Sequence, residues 1–144
     1  MKIAICASIN ITPKIKEVAK KLRKRNHEII IPVTSQRILD GRLTMEDFLE
    51  EKNKNGDGAF RKIKYDAIKG YYNKIKKMEA VLILNTKKNG VEGYIGGNTF
   101  LEMGFAYVLE KKIYLYNTIP EMSYTDELLA MKPVIINGNL DKIK

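Results

Sequence analysis

The chain alternates between short, continuous apolar runs and longer segments in which apolar residues recur every three or four positions. The short runs cover residues 2–7, 28–33, 80–84, 113–116 and 134–136. Continuous apolar runs of this length are typical of strands that are buried on both faces of a parallel sheet. The pattern therefore predicts five strands.

The segments between these runs have the spacing of amphipathic helices. Pro13 opens the first of them, and Ile15, Val18, Ala19 and Leu22 follow at helical spacing. Further helices are predicted over 60–78, 100–109 and 125–131. A shorter helix is predicted after Thr44, and it ends in the Asn- and Gly-rich stretch 53–58, a region that we interpret as a mobile flap.

The alternation of strands and helices determines the fold class. Two strands that are joined through a helix run parallel, and the crossover between them is right-handed in nearly all proteins. The sequence therefore predicts one α/β domain over residues 1–144. We expect a doubly wound three-layer sandwich around a five-stranded parallel sheet, of the flavodoxin or Rossmann-like kind.

Composition narrows the possible chemistry. The chain contains one cysteine and one histidine, which excludes an intrachain disulfide and a zinc cluster built from these residues. We expect neither a metal nor an organic cofactor. No run approaches the roughly 18 apolar residues of a membrane-spanning helix, so we expect a cytoplasmic protein without membrane contact.

The net charge of +9, from 26 basic and 17 acidic residues, favours anionic ligands. Many basic residues lie in 14–25 and 52–77, where they alternate with apolar residues at helical spacing. This pattern is typical of the solvated faces of helices. Nucleic-acid binding through these helices is the lowest-ranked alternative, because the chain has no recognisable nucleic-acid-binding motif.

The best candidate site lies around the glycine pair that precedes the helix 100–109. Ligands of open parallel sheets bind beyond the carboxyl ends of the strands, where the loops 7–10, 85–99 and 117–122 are expected to meet. Gly96, Gly97, Asn98 and Thr99 lead into a helix, whose first N–H groups favour a negative ligand. Glu102 follows among apolar residues, either as the partner of Thr99 in a capping box or as a functional carboxylate.

Residues 96–106 read GGNTFLEMGFA and resemble the nucleophile segment of the nucleoside 2-deoxyribosyltransferase family, in which a Glu is followed by a small residue and alanine. The segment Cys6-Ala7-Ser8-Ile9 is similar to the first loop of that superfamily, which includes the 2′-deoxynucleoside 5′-phosphate N-hydrolases. Residues 80–85 look like its central strand. The order of elements agrees with the family along nearly the whole chain.

The resemblance implies an enzyme that cleaves or transfers the N-glycosidic bond of a nucleoside or its 5′-monophosphate. Glu102 would be the nucleophile. In the family, the segment that corresponds to 121–132 often completes a neighbouring subunit's site, which implies a homo-oligomer. The substrate would be contacted by Ala7, Ser8, Ile9, Asn85, Gly96, Gly97, Asn98 and Thr99.

The sequence also departs from the family pattern, and this leaves an alternative open. The deoxyribosyltransferases usually carry one Asp near the end of the third strand and another six residues before the nucleophile. Asn85 and Gly96 occupy these positions here. The alternative is a noncatalytic nucleotide-binding or sensor protein on the same fold, in which Glu102 caps the helix or contacts a ribose hydroxyl.

Three residues of the helix 60–78 have two interpretations each. Asp66 is either the acid that protonates the leaving base or an exposed helix carboxylate. Tyr71 and Tyr72 either border the base or belong to the core.

Overall fold

The chain folds around a parallel sheet of five strands. The structure, a computed structural model, describes the backbone of residues 1–54 and 58–144 and the side chains of residues 1–52 and 65–144. The spatial order of the strands is β2-β1-β3-β4-β5, and every neighbouring pair is parallel. This order is the flavodoxin-like one. The strands are β1 (Lys2–Cys6), β2 (Glu28–Ile30), β3 (Ala80–Ile83), β4 (Lys112–Leu115) and β5 (Val134–Ile135).

Helices cover both faces of the sheet. Within the described part of the chain, no helix is long and apolar enough to cross a membrane. Two short 3-10 helices accompany the α-helices, at Ile9–Ile11 and Leu140–Lys142. The α-helices are α1 (Thr12–Arg23), α2 (Val33–Leu39), α3 (Met45–Lys54), α4 (Gly58–Ile75), α5 (Gly97–Val108) and α6 (Thr125–Ala130).

The sheet separates two apolar clusters, because successive side chains of a strand point to opposite faces. On one face, Ile3 and Ile5 of β1 pack with the buried stripe of α1. On the other face, Ala4 and Cys6 pack with buried residues of α4, α5 and α6. The predicted three-layer α/β fold is confirmed.

At the edge of the sheet, two element boundaries differ from the predicted ones. The second strand ends at Ile30 rather than Val33, and Val33 instead begins α2. Pro32 is the N-cap of this helix, with a φ of −53°. The physical reason is that proline cannot donate to a strand ladder, whereas its fixed φ suits the start of a helix. The sequence analysis predicted no helix at 33–39.

A further boundary differs at the candidate site. Helix α5 begins at Gly97 with Gly96 as its N-cap, three residues before the predicted start. The Phe100 N–H donates to the Gly96 carbonyl at 2.9 Å, which closes the first turn. Glu102 is therefore in the second turn, and of its two interpretations the capping box with Thr99 as N-cap is wrong. The mobile flap predicted at 53–58 falls partly on residues 55–57, which lie outside the described residues.

Candidate functional site

A cleft of about 470 Å³ opens at the carboxyl ends of β1 and β3. These two central strands are neighbours in the sheet, and the chain proceeds outward from them in opposite directions. Doubly wound folds bind their ligands at such a switch point. The lining comes from the loop after β1, Pro32, the loop after β3, the first residues of α5, and two residues of α3, Phe48 and Lys52.

The loop after β1 is held in shape by its hydroxyl groups. The Ser8 Oγ accepts a hydrogen bond from the Asn10 N–H at 3.4 Å and so caps the 3-10 helix Ile9–Ile11. The Thr12 hydroxyl donates to the Ile9 carbonyl at 2.6 Å, and it also lies 3.0 Å from the buried Ser35 hydroxyl. Ser8 is exposed on this fixed loop and lines the cleft.

The start of α5 forms another wall. The first N–H groups of a helix have no partner within the helix, and they carry the positive end of its dipole. No described side chain caps this helix, because the N-cap is Gly96. A Cβ placed on Gly97 would meet no atom within 4 Å, so the space above the helix start is open. This wall is suited to a negatively charged group.

Glu102 lies at the floor of the cleft, where 8% of the residue is exposed. The buried Cys6 thiol lies close enough to this carboxylate for the charge of Glu102 to act on it. Burial, followed by the negative charge of Glu102, raises the pKa of the Cys6 thiol well above its usual value. Burial is also the main cause that raises the pKa of Tyr71, whose hydroxyl donates to the Ile5 carbonyl. The carboxylate therefore lies beside two side chains that stay protonated at neutral pH.

Asn85 was predicted to contact the substrate, but the structure places it outside the lining of the cleft. The side chain is 1% exposed, and it is not among the residues that line the cleft. Its Nδ2 donates to the carbonyls of Gly93 at 3.1 Å and Thr118 at 2.8 Å, while its Oδ1 accepts from the Asn117 N–H at 2.8 Å. The predicted substrate contact is replaced by a structural role, in which Asn85 ties the loop after β3 to the loop after β4.

Three lysines add positive charge to the cleft. Lys52 belongs to α3, and Lys87 and Lys88 belong to the loop after β3. The Lys87 ammonium pairs with Glu92 at 3.2 Å, and the Lys88 ammonium lies 5.7 Å from the centre of the Tyr94 ring. All three lysines are exposed, so their side chains can rearrange around a ligand.

The structure brings together all the predicted site residues except Asn85: Ala7, Ser8, Ile9, Gly96, Gly97, Asn98, Thr99 and Glu102 line one cleft. Their roles toward a substrate stay predictions. The sequence analysis did not single out Asn10, Thr86, Lys87, Lys88 and Tyr94, although all of them follow the ends of β1 and β3. It also missed Phe48 and Lys52. The available signal was their i,i+4 spacing, which places both side chains on one face of a short helix.

The structure also shows where Asp66, Tyr71 and Tyr72 of α4 lie, the three residues with two interpretations. Asp66 is exposed. Tyr71 is 4% exposed and belongs to the core, and the half-buried Tyr72 packs edge to face on Phe105 with 5.2 Å between ring centres. None of the three is among the residues that line the cleft.

Two further findings concern ligands and relatives. Among the residues that the structure describes, no three His, Cys, Asp or Glu side chains come together in a group that could hold a metal ion. In comparisons with known proteins, no protein-family model, no curated protein and no solved structure matches the chain.

Proposed function

We propose that the protein hydrolyses the N-glycosidic bond of a 2′-deoxynucleoside 5′-monophosphate, with Glu102 as the nucleophile. The observation that carries the proposal is the Glu102 carboxylate at the floor of a cleft that also contains a hydroxyl group, the start of a helix and three lysines. The cleft volume of about 470 Å³ lies within the usual range for small-molecule sites. The resemblance of residues 96–106 to the deoxyribosyltransferases suggests the same chemistry.

A carboxylate suits this reaction because the bond between C1′ and the base breaks through an oxocarbenium-like state. One Glu102 oxygen forms a bond to C1′, and the base leaves with the electron pair of the C–N bond and takes up a proton from the solvent. Water then attacks C1′, the bond to Glu102 breaks, and the proton released by the water balances the one taken by the base. The products are the free base and deoxyribose 5-phosphate.

The positive groups of the cleft favour a phosphorylated substrate. A phosphate monoester carries a charge of roughly −1.5 to −2 near neutral pH. The start of α5 supplies backbone N–H groups for such an anion, Ser8 supplies a hydroxyl, and the lysines supply charge. A nucleoside without phosphate would leave these groups without a ligand, so we expect the 5′-monophosphate to be the better substrate.

The test is release of free base from a panel of 2′-deoxynucleosides and their 5′-monophosphates. We expect the wild-type protein to release base from a monophosphate, and Glu102→Gln to lower kcat by about 10³-fold or more because the nucleophile is lost. Glu110→Gln is the matched control, since it makes the same change at an exposed residue just beyond α5. This control should keep the wild-type rate.

Other outcomes would contradict the proposal. Transfer of the sugar to an added second base, without hydrolysis in its absence, would make the protein a transferase. If no base is released from any substrate while a nucleotide still raises the melting temperature, the cleft belongs to a noncatalytic nucleotide-binding protein. Equal rates of base release for wild type and Glu102→Gln would show that Glu102 is not the nucleophile.

We also propose that two copies associate through α5. Leu101, Phe105 and Val108 follow one another at i, i+4 and i+7 on this helix, and Leu101 and Val108 are 46% and 79% exposed. Glu102 is the only charged residue of α5, and it is buried. In a chain with a net charge of +9, a second copy meets little charge repulsion on such an uncharged face.

A further inference from the structure

The loop after β3 contains a tight hairpin, residues 87–92, that carries two of the lysines of the cleft. Lys88 and Val91 pair in an antiparallel bridge and exchange backbone hydrogen bonds of 3.1 and 2.9 Å. The residues between them, Asn89 and Gly90, have φ angles of +51° and +74°. Positive φ angles at both central residues are typical of a type I′ turn, the common turn of a two-residue hairpin. The backbone position of Lys88 is therefore fixed by the hairpin.

The residues that follow the hairpin are held by the rest of the fold. The Gly93 carbonyl accepts a hydrogen bond from the Asn85 Nδ2 at 3.1 Å. The Ile95 side chain is buried, and its carbonyl accepts a hydrogen bond from the Tyr124 hydroxyl. Tyr94 lies between these two anchored residues, is half-buried and lines the cleft. Its ring therefore has a defined place in the wall of the cleft.

The Tyr94 ring connects the hairpin to the start of α5. On one side, the Lys88 ammonium lies 5.7 Å from the ring centre, which is a cation–π contact. On the other side, a Cβ placed on Gly96, the N-cap of α5, would lie 3.6 Å from the Tyr94 Cε1. The hairpin thus brings the Lys88 charge to the part of the cleft where α5 begins.

The two lysines of the hairpin differ in how their charge is compensated. The Lys87 ammonium pairs with the Glu92 carboxylate at 3.2 Å. Lys88 has no such ion pair with any side chain that the structure describes. An aromatic ring holds an ammonium without neutralising it, whereas a carboxylate removes the net charge. Lys88 therefore has the uncompensated charge, and its exposed side chain can turn from the ring to an anion in the cleft.

We propose that Lys88 is the specificity-determining residue that pairs with the 5′-phosphate of the substrate. This inference rests on the proposed function, in which a nucleoside 5′-monophosphate occupies the cleft. A phosphate monoester is an anion with three acceptor oxygens, whereas the 5′ position of a nucleoside carries a neutral hydroxyl. A charge-assisted hydrogen bond from Lys88 therefore stabilises the bound monophosphate and does little for the nucleoside.

The kinetic test measures phosphate preference, defined as kcat/KM for a 2′-deoxynucleoside 5′-monophosphate divided by kcat/KM for the same nucleoside without phosphate. We expect Lys88→Met, which keeps an unbranched apolar stem, to lower this preference roughly 10- to 100-fold. The value of kcat/KM for the nucleoside should change less than about twofold. Lys88→Arg keeps a cation that can bind phosphate and should recover most of the preference.

Lys77→Met is the matched control, because it removes the same charge from an exposed residue just after α4 that does not line the cleft. This variant should keep the wild-type preference. Lys87→Met should lower the preference by less than about threefold, since Glu92 already compensates the Lys87 charge. Tyr94→Phe keeps the ring face beside Lys88, so it should lower the preference less than Tyr94→Leu does.

A binding measurement does not depend on turnover. Calorimetric titration with 2-deoxyribose 5-phosphate and with 2-deoxyribose measures the contribution of the phosphate group directly. We expect the wild-type protein to bind the phosphorylated sugar more tightly than the free sugar. Lys88→Met should raise the Kd for 2-deoxyribose 5-phosphate about tenfold or more, whereas Lys77→Met should leave it unchanged.

The outcomes separate the two proposals. A loss of phosphate preference and of affinity for 2-deoxyribose 5-phosphate in Lys88→Met but not in Lys77→Met supports the inference. If the wild type releases base but Lys88→Met keeps the wild-type preference, the inference is overturned while the proposed function stands. If the wild type releases no base, the proposed function is overturned, and the titration alone decides whether Lys88 binds the phosphate. Equal Kd values for the wild type and Lys88→Met would then overturn the inference as well.

Discussion

At the scale of the single residue, Asn85 has partners that suit an amide and exclude an ionised carboxylate. Its Nδ2 faces two carbonyl oxygens, and only a group with N–H donors can bond to both of them. An ionised Asp at this position would place a negative oxygen against these carbonyls. The hydrogen bonds therefore require an amide at this position, and an amide cannot be the acid that protonates a leaving base.

We predict that Asn85→Ala lowers the free energy of unfolding by roughly 2–4 kcal/mol, because it leaves the Gly93 and Thr118 carbonyls and the Asn117 N–H without the partner that the buried amide provides. The melting temperature should fall by roughly 5–15 °C. Chemical denaturation followed by circular dichroism measures the effect. A loss below about 0.5 kcal/mol would contradict the structural role of this amide.

Asn85→Asp gives a companion measurement with a pH dependence. The ionised carboxylate would face two carbonyl oxygens, so its pKa in the folded state should lie above the unfolded value of about 3.9. Asn85→Asp should therefore be more stable than Asn85→Ala below the unfolded pKa of the new carboxyl. This extra stability is lost as the pH rises through the pKa of the carboxyl in the folded state. Denaturation curves between about pH 4 and pH 8 should therefore separate the two variants.

The sequence contained enough information to find Glu102 but not the residues that surround it. A single carboxylate in an otherwise apolar helix is visible in the sequence, and the structure places it at the floor of the cleft. The proximity of Cys6 to Glu102 was not visible, because the two residues are 96 positions apart in the sequence. The lysines were counted only as part of the net charge, since periodicity does not reveal which exposed side chains border a cleft.

At the scale of the element, the loop after β3 and the loop after β4 approach each other closely at one glycine. Gly93 has a φ of +70°, and a Cβ on this residue would lie 2.4 Å from the Thr118 carbonyl oxygen and 2.9 Å from the Asn85 Nδ2. No side chain fits in this gap without moving one of the loops. The position therefore fixes how the cleft loop rests on its neighbour.

We predict that Gly93→Ala costs about 1–2 kcal/mol for the backbone conformation and a further 1–3 kcal/mol for the clash with Thr118. Gly90→Ala is the matched control in the same loop. Its φ of +74° is nearly the same, but a Cβ there meets no atom within 4 Å, so only the backbone cost applies. Equal denaturation midpoints for the two variants would argue against the close approach of the loops.

Elements with a long periodic pattern were predicted well, whereas the ends of elements were not. The stripe of α1 and the apolar runs of the central strands follow directly from burial on one or both faces. Helix α2 was missed because it has only seven residues, and Pro32 was assigned to the preceding strand. The start of α5 was placed too late because Thr99 imitates an N-cap, although Gly96 takes that position.

At the scale of the whole molecule, charge is distributed unevenly between the helices. Helix α1 carries basic residues throughout, and its exposed face is therefore positive. The exposed face of α5 is apolar and uncharged, and it lies beside the segment that contains Tyr124, whose ring stacks on Phe100 of α5 at 4.4 Å. A partner seated on α5 would thus lie close to the loop that precedes α6.

We predict that the wild-type protein has the mass of a dimer in light scattering at micromolar concentration and that Val108→Lys has the mass of a monomer. The substitution places a positive charge at the C-terminal end of the proposed apolar interface, where it would be desolvated without a partner. Val33→Lys is the control, because Val33 is 49% exposed on α2, at the far edge of the sheet. A monomeric wild type would refute self-association through α5.

The position of the cleft between β1 and β3 has a consequence for folding. Ile3 pairs with Ala80, so the two strands that carry the cleft come from distant parts of the chain. Such pairing requires the closure of a long loop, which is entropically costly and slow. During synthesis, this cleft therefore cannot form before β3 and α5 have joined β1. The recovery of ligand binding after dilution from denaturant would therefore report the completion of the central sheet, after local helices have formed.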